Sequence, residues 1–330
     1  MRDPALLAEC ADLRRTLERV PSWRALRALP EWPALSARID RLLSTVRRYS
    51  PGPGAGAAGD DPPPARRPLV VAQWNIEHGN QYEQIEAALA GHPRLRRADV
   101  ISLNEVDLGM ARAGNRDVTA DLARALGFHG AWTALFLEMT AGRDDDPRMA
   151  AGHANQEGLF GIALLSRWPI GALRRVVLPS PEEVQFDHER MIGWHVAMIA
   201  EIERPGAPFV MVTVHLEVHR TRAYRAEQMR ILLEALGRES RPTVIAGDFN
   251  SHTFDRGEVL APLVGALVLT LTPGDALARR LLHPDRGPER ETVFDVLRGA
   301  GFEWERHVDY VPTLQLRFDR LGETRALFGP

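Results

Sequence analysis

The sequence of 330 residues contains no lysine, so arginine supplies all 41 of its basic side chains. This absence excludes enzymes that form a Schiff base through lysine and nucleotide-binding proteins that need a P-loop lysine. Against 44 acidic side chains, the net charge is -3 at pH 7. A balance so close to neutral gives no overall attraction to nucleic acid or to an anionic membrane.

Cysteine and long apolar runs are also scarce. Cys10 is the single cysteine, which excludes an intramolecular disulfide, a multi-cysteine zinc site and an iron–sulfur cluster. Any metal must therefore be held by oxygen or imidazole. Residues 1–15 carry charges where a signal peptide needs an apolar stretch, and no window has the roughly 18 apolar residues of a membrane span. We expect a cytoplasmic protein without a transmembrane segment.

Composition divides the chain into three segments. Residues 1–50 predict a helical N-terminal extension, in which two short amphipathic helices end near Val46. Residues 4–48 are a candidate element for binding a protein partner or a membrane surface, and the alternative is that these helices pack on the body or on another copy of the chain. Residues 51–68 are rich in proline and glycine and predict a flexible linker. Residues 69–330 form the main domain.

Strand-like and helix-like runs alternate along the main domain. Strands are expected at 69–76, 99–106, 132–139, 159–166, 194–202, 209–216, 243–247 and 314–318, and helices at 81–90, 118–126, 221–237 and 293–300. Such alternation is typical of a layered α/β domain. Several runs pair one apolar face with one polar face, which favours mixed sheets over a purely parallel sheet.

Polar side chains follow several of these apolar strands. Asn75 and Glu105 follow the first two strands, His215 follows a later one, and Asp248 and Asn250 follow another. Carboxylates, amides and imidazole without thiol or lysine suit a hard cation such as Mg²⁺, which prefers oxygen ligands. Phosphate-ester hydrolysis is the natural chemistry of such a set, because a metal offsets phosphoryl charge while a carboxylate orients water.

The same segments resemble the ordered motifs of the endonuclease/exonuclease/phosphatase superfamily, the group that includes deoxyribonuclease I. They read WNI with Asn75, LNEVD with Glu105, TVHLE with His215, and AGDFNS with Asp248 and Asn250. The resemblance implies a four-layer α/β sandwich of two packed mixed sheets. It also implies a magnesium-dependent hydrolase, a phosphodiesterase or nuclease in which water attacks the phosphodiester directly.

Roles for five residues follow from the resemblance. It implies that Glu105 is the principal Mg²⁺ ligand, with Mn²⁺ as a second acceptable ion, and that Asn75 helps to hold the shell of water around the metal. Asp248 would orient the attacking water, Asn250 would contact the scissile phosphate, and His215 would be the imidazole on the leaving-group side.

Two further residues are weaker candidates. Arg112 and Asn115 lie in a glycine-containing turn after the second strand, where a guanidinium could bind substrate phosphate bidentately. An ordinary surface loop is the alternative. The substrate itself stays open, because nucleic acid, a phospholipid head group and a small phosphodiester need the same central residues.

The sequence departs from the family at its end, where relatives carry a Ser-Asp-His segment. Residues 318–321 resemble the strand that precedes that segment, so the domain is expected to be C-terminally incomplete. Three explanations compete: a truncated chain, replacement of the missing imidazole by His252 or His307, and a catalytically impaired scaffold. The scaffold would bind a phosphorylated ligand or a protein without hydrolysing it.

Overall fold

The computed structural model describes residues 3–51, 68–143, 145–251, 271–287, 290–308 and 310. Internal contacts divide the chain into two units, Met1–Glu217 with Ile231–Phe249 and Val218–Arg230 with Asn250–Pro330. Most of the expected linker, the strand expected at 314–318, the segment 318–321 and His252 lie outside the described residues.

The four helices expected in the main domain lie within one residue of their predicted bounds, and three further helices, at residues 146–149, 182–184 and 274–282, were not predicted. The first unit contains α1 (Pro4–Glu18), α2 (Trp23–Arg27), α3 (Trp32–Leu43), α4 (Tyr82–Gly91), α5 (Val118–Leu126), α6 (Asp146–Met149) and α7 (Glu182–Val184), with short turns at Glu77–Gly79, Leu95–Arg97, Ala111–Ala113 and Gln185–Glu189. Residues of both units form α8 (Arg222–Leu236), and the second unit contains α9 (Gly274–Leu282) and α10 (Val293–Gly299). No helix in the described part of the chain has the length and apolar content that crossing a membrane requires.

Two mixed sheets form the body of the first unit. Their strands are β1 (Val46–Tyr49), β2 (Val71–Asn75), β3 (Val100–Leu108), β4 (His129–Glu138), β5 (Leu159–Ser166), β6 (Ile170–Val177), β7 (Met191–Gly193), β8 (Val196–Ile202), β9 (Phe209–His215) and β10 (Thr243–Asp248). The first sheet has the order β1-β4-β5-β3-β2, with β7 also paired to β4, and the second has the order β10-β9-β8-β6. The β2–β3 and β9–β10 pairs are parallel, and the other pairs are antiparallel.

The apolar interior follows the alternation of side chains along the strands. Successive residues of a strand point to opposite faces of the sheet. Val100 accordingly lies in the apolar cluster between the two sheets, with Leu164 and Met198. Its neighbour Ile101 lies in the cluster under the helices, with Trp132. The expected α/β fold of two packed mixed sheets with helices is thus confirmed.

Residues 3–49 pack on the body of the first unit. Helix α1 begins after Asp3, whose carboxylate accepts a hydrogen bond from the Ala5 amide at 2.9 Å. Leu13 of this helix lies in the same apolar cluster as the sheet. Strand β1 pairs with β4, so Val46 lies in a strand where the periodicity had predicted a helix. β-Branched and aromatic residues favour a strand, and the β4 edge supplies the hydrogen-bonding partner.

A buried ion pair holds the second unit. Arg225 donates from Nε and Nη2 to the two carboxylate oxygens of Glu291, at 3.1 and 2.8 Å. Both side chains are almost fully buried. Nearby, Thr292 Oγ1 donates to the carbonyl oxygen of Arg222 at 3.2 Å, so the ion pair and this bond join α8 to the segment before α10.

Candidate active site

Two pairs of parallel strands bring polar residues to their carboxyl ends. Asn75 of β2 lies in register with Asn104 of β3, and Asp248 of β10 lies in register with His215 of β9. In-register neighbours of parallel strands point to the same face of a sheet. The two sheets therefore each present a pair of polar side chains at this end.

The Asn75 amide joins two carboxylates, one from each sheet. Its Nδ2 donates to Glu105 Oε1 at 2.8 Å and to Asp248 Oδ2 at 2.9 Å. Its Oδ1 accepts from the backbone amide of Glu77 at 3.1 Å. A primary amide has two N–H donors, so both are used on carboxylates that lie far apart in sequence. Three of the sequence-predicted site residues thus meet at one point.

Glu105 has a left-handed backbone conformation, which residues other than glycine rarely adopt. Its φ is 54°, and the register of β3 against β5 shifts between Leu103 and Val106. A bulge of this kind re-aims a side chain at the cost of local pairing. Strained backbone of this type costs about 1–3 kcal/mol and is concentrated at functional sites.

The environment of Glu105 favours its neutral form in the absence of a cation. Burial raises the pKa of Glu105 to about 7, and the charge of Asp248 acts in the same direction, whereas the hydrogen bond from Asn75 lowers it. His78 Nε2 lies 3.7 Å from Glu105 Oε2. Burial also lowers the pKa of His78 well below its ordinary value, so this imidazole brings no positive charge to the carboxylate.

Asn104 connects the two sheets directly beneath these side chains. Its Nδ2 donates to the carbonyl oxygen of Val214 at 2.9 Å, and its Oδ1 accepts from the Asp248 amide at 3.0 Å. Gln73 Nε2 donates to the same Oδ1 at 3.0 Å. The sequence marks Asn104 only as a polar residue at a strand end, and its bridging role depends on partners more than 100 positions away.

Gly247 permits the close approach of β9 and β10 next to Asp248. A Cβ atom at this position would lie 1.8 Å from the carbonyl oxygen of Val214. No side chain fits at such a distance, so glycine is required for the pairing that places Asp248 in register with His215.

His215 is buried and uncharged at neutral pH. Burial lowers its pKa to about 4, although the charge of Asp248 acts to raise it. Its Nδ1 makes no hydrogen bond within the described part of the chain. A neutral imidazole with an unused ring nitrogen can donate or accept one hydrogen bond there. It lacks the second N–H proton that only the charged ring carries.

A second histidine, which the sequence does not single out, supports the end of β9. His195 Nδ1 lies 2.9 Å from the carbonyl oxygen of His215, and its Nε2 lies 2.9 Å from Glu217 Oε2. Both side chains are buried. Both ring nitrogens of His195 therefore face internal partners, which makes it a support for His215 and not a group that reaches a ligand.

Arg112 lies inside the protein, contrary to the prediction that it meets substrate phosphate. Its five N–H groups donate to the carboxylates of Asp107, Glu138 and Asp146. The Arg112 side chain is 2% exposed. A guanidinium has five donors, and since all five are used internally none is left for a phosphate.

Asn115 also has an internal structural role. Its Nδ2 donates to the carbonyl oxygen of Ala154 at 3.0 Å, and its Oδ1 accepts from the Gln156 amide at 3.0 Å. Its φ of 56° is one that asparagine tolerates better than most residues. The side chain thus joins two loops of the first unit, which explains its place in the turn without a substrate.

Asn250, the remaining predicted residue, follows Asp248 by two positions and belongs to the second unit. Its backbone lies in the left-handed region, with φ 48°. His307, one of the residues considered as a replacement imidazole, is exposed and also belongs to the second unit.

Comparisons with known proteins agree with the motif pattern. The model of the Endonuclease/Exonuclease/phosphatase family matches residues 72–320. No curated protein matches the chain. Among solved structures, an endonuclease/exonuclease/phosphatase from Beutenbergia cavernae DSM 12333 is 22% identical, with a TM-score of 0.41, and the alignment covers 62% of this chain and 54% of that one.

Two further solved structures are similar at the same level. The human Nocturnin catalytic domain with bound sulfate is 21% identical with a TM-score of 0.40, over 58% of this chain and 66% of that one. D. rerio TDP2 in complex with a single-strand DNA product is 19% identical with a TM-score of 0.36, over 56% of this chain and 61% of that one. The chain thus spans about half to two thirds of the length of these structures.

Proposed function

This chain belongs to the endonuclease/exonuclease/phosphatase family, and from that premise we propose that it is a metal-dependent phosphoesterase that hydrolyses a phosphodiester by direct attack of water. The observation that carries the proposal is the contact of one amide, Asn75, with the two carboxylates Glu105 and Asp248. The charge of Asp248 acts to raise the pKa of Glu105, which shows that the two carboxylates repel each other, and a divalent cation would relieve this repulsion.

The donor set fits Mg²⁺ better than a zinc-type ion. The described residues contain no group of three or more histidine, cysteine, aspartate or glutamate side chains that could hold a metal. Mg²⁺ needs only one or two carboxylates, because water and substrate phosphate complete its ligands. Glu105, assisted by Asn75, would hold the ion, and Mn²⁺ would be accepted by the same oxygens. When bound, the ion would offset negative charge on the phosphoryl oxygens.

Three side chains have proposed roles besides metal binding. Asp248 would orient the attacking water, since Asn75 fixes its carboxylate and Asn104 fixes its backbone. Asn250 would contact the scissile phosphate. His215 would donate a hydrogen bond to the substrate from a neutral ring, because its pKa of about 4 leaves it uncharged at neutral pH.

Hydrolysis of three substrates tests this function: bis(p-nitrophenyl) phosphate, plasmid DNA and sphingomyelin, each with Mg²⁺ and with EDTA. We expect metal-dependent turnover of at least one, and a loss on the order of 10² to 10⁴ in Asp248→Asn and Glu105→Gln. Asp40→Asn and Glu83→Gln, at exposed positions, are the matched controls and should leave the rate unchanged. Full activity in Asp248→Asn would contradict the assignment.

Absence of turnover from the folded wild-type protein would favour the scaffold. In that case calorimetry with Mg²⁺ and a nucleotide should still show binding, and Glu105→Gln should weaken the metal-dependent part.

A further inference from the structure

A cavity of about 260 Å³ lies between the N-terminal helices and the segment around β7. Three indole side chains line it, Trp23 and Trp32 from α2 and α3 and Trp194 directly after β7. All three are half-buried. Three partly exposed indoles in one cavity concentrate aromatic surface where a ligand can reach it, and none of them takes part in the proposed hydrolysis.

The rings form adjoining walls of this cavity. The centroids of Trp23 and Trp32 are 5.5 Å apart and their planes meet at 80°. The face of an indole carries negative electrostatic potential, which attracts cations. The chain's own Arg27 shows this preference, because its guanidinium carbon lies 5.7 Å from the centroid of Trp23 and 6.0 Å from that of Trp32.

A carboxylate adds negative charge to the same cavity. Glu182 lines it, and its Oε1 accepts a hydrogen bond from Trp194 Nε1 at 2.8 Å. In the described part of the chain, Glu182 contacts the indole N–H of Trp194 and Arg27 contacts the faces of Trp23 and Trp32, and no salt bridge joins Glu182 to Arg27. Arg27 is exposed and Glu182 is half-buried, so the cavity holds a carboxylate that is not in salt-bridge contact with the guanidinium lining the same cavity.

We propose that this cavity binds a quaternary ammonium group, with Trp23, Trp32 and Trp194 as its walls and Glu182 as its counter-charge. Its volume lies below the roughly 300–1,000 Å³ of pockets for drug-sized ligands, so it admits a head group and not a nucleotide. Indole walls with a carboxylate are the combination that recognises quaternary ammonium ligands. Arg27 lies over the same rings in the free protein and competes with the ligand.

Choline chloride is the probe, titrated while the indole N–H signals are followed by nuclear magnetic resonance. The neutral isostere 3,3-dimethylbutan-1-ol has the same shape without the charge. We expect choline to bind at least about tenfold more tightly than the isostere, the factor that 1.4 kcal/mol gives. Equal binding of the two would overturn the proposal, because it would show an apolar cavity without preference for a cation.

Three variants locate the site, with circular dichroism as the check on folding. Trp32→Ala and Glu182→Gln should each weaken choline binding about tenfold, and Arg27→Ala should strengthen it. Arg24→Ala and Glu183→Gln, at neighbouring exposed positions, are the matched controls. Because Trp32 packs on the core, Glu182→Gln decides the outcome if Trp32→Ala fails to fold. Choline affinity unchanged in Glu182→Gln, or weakened in Arg27→Ala, would refute the site.

Two sources could present such a group, and sedimentation with vesicles separates them. Capture by phosphatidylcholine vesicles but not by phosphatidylglycerol vesicles, lost in Glu182→Gln, would identify a lipid head group. Binding of free choline without capture by vesicles would identify a small soluble molecule. Both results support the site, whereas capture by both kinds of vesicle without choline binding would overturn it.

Discussion

Replacement of Arg112 by methionine should lower the free energy of unfolding by about 3–5 kcal/mol, because it would leave three carboxylates without their shared cation. In the structure the guanidinium donates to Asp107 at 2.7 and 2.9 Å, and also to Glu138 and Asp146. The Asp107 side chain is fully buried and that of Glu138 is 7% exposed. Removing one partner of a buried ion pair lowers stability by more than the intact pair adds, because the remaining charge stays buried without a partner and away from water.

The loss of unfolding free energy in Arg112→Met should depend on pH, because the buried carboxyl groups of Asp107 and Glu138 take up protons. Burial raises the pKa of Asp107 to about 7, and Arg112 opposes this rise; the pKa of Glu138 is raised for the same reason. Without Arg112 both would rise further. The folded variant would then bind protons that the unfolded chain releases above about pH 4, so its stability falls as pH increases through this window. The loss should be largest at pH 8 and smaller at pH 5.

Urea unfolding followed by circular dichroism at pH 5 and pH 8 measures both effects. Arg124→Met is the matched control, because Arg124 is 72% exposed and its ion pair with Asp121 lies on the surface of the same helix. We expect it to change stability by less than about 0.5 kcal/mol. A loss below about 1 kcal/mol for Arg112→Met at pH 8, or a loss that grows at pH 5, would show that the cluster does not depend on its arginine.

Three further predictions test the scaffold of the site and its metal. Gly109→Ala should cost about 3–5 kcal/mol in thermal or urea unfolding, because φ is +66° and the new Cβ would lie 2.6 Å from a backbone nitrogen. Gly152→Ala, with φ +78° and open space around it, should cost only about 1–2 kcal/mol; equal losses would contradict the steric reasoning. Asn104→Ala should lower stability by about 2–3 kcal/mol and reduce turnover, because it unpairs the two backbone groups that it bridges between the sheets. Gln84→Ala, on an exposed helix face, should leave both unchanged. The apparent affinity for Mg²⁺, measured by calorimetry, should rise about tenfold per pH unit below pH 7 and level off above it, because protonated Glu105 cannot bind a cation; a flat profile would exclude this carboxylate as the ligand.

Elements with uninterrupted local patterns could be read from the sequence. The apolar run of β5 gives its bounds of Leu159–Ser166 as predicted, and α5 coincides with the expected 118–126. Strand β6 (Ile170–Val177) was missed, because Arg174 and Arg175 interrupt its apolar pattern and it lies at the edge of its sheet. Strand β1 was hidden in a segment with helical spacing, since its pairing with β4 depends on residues more than 80 positions away.

The same distinction explains the site. The sequence motifs pointed to Asn75, Glu105 and Asp248, and the structure brings these three side chains into contact. The misplacement of Arg112 has a physical reason, because a sequence does not show that acidic residues 26 and 34 positions away surround it. His195 gave no local signal either, since its partners are a backbone carbonyl and a carboxylate from another strand end.

The two titrating groups of the site stand in reversed order, with a carboxyl group near 7 and an imidazole near 4. Burial produces both shifts, because it disfavours the charged form of an acid and of a base alike. Burial therefore disfavours the charged form of Glu105 in the absence of a cation, and it leaves His215 neutral at neutral pH. If Glu105 holds a divalent ion as proposed, the ion would favour the carboxylate form of this side chain and displace its proton. Metal binding would then be coupled to proton release at Glu105, while His215 would keep a neutral ring that can offer a hydrogen bond without first losing a charge.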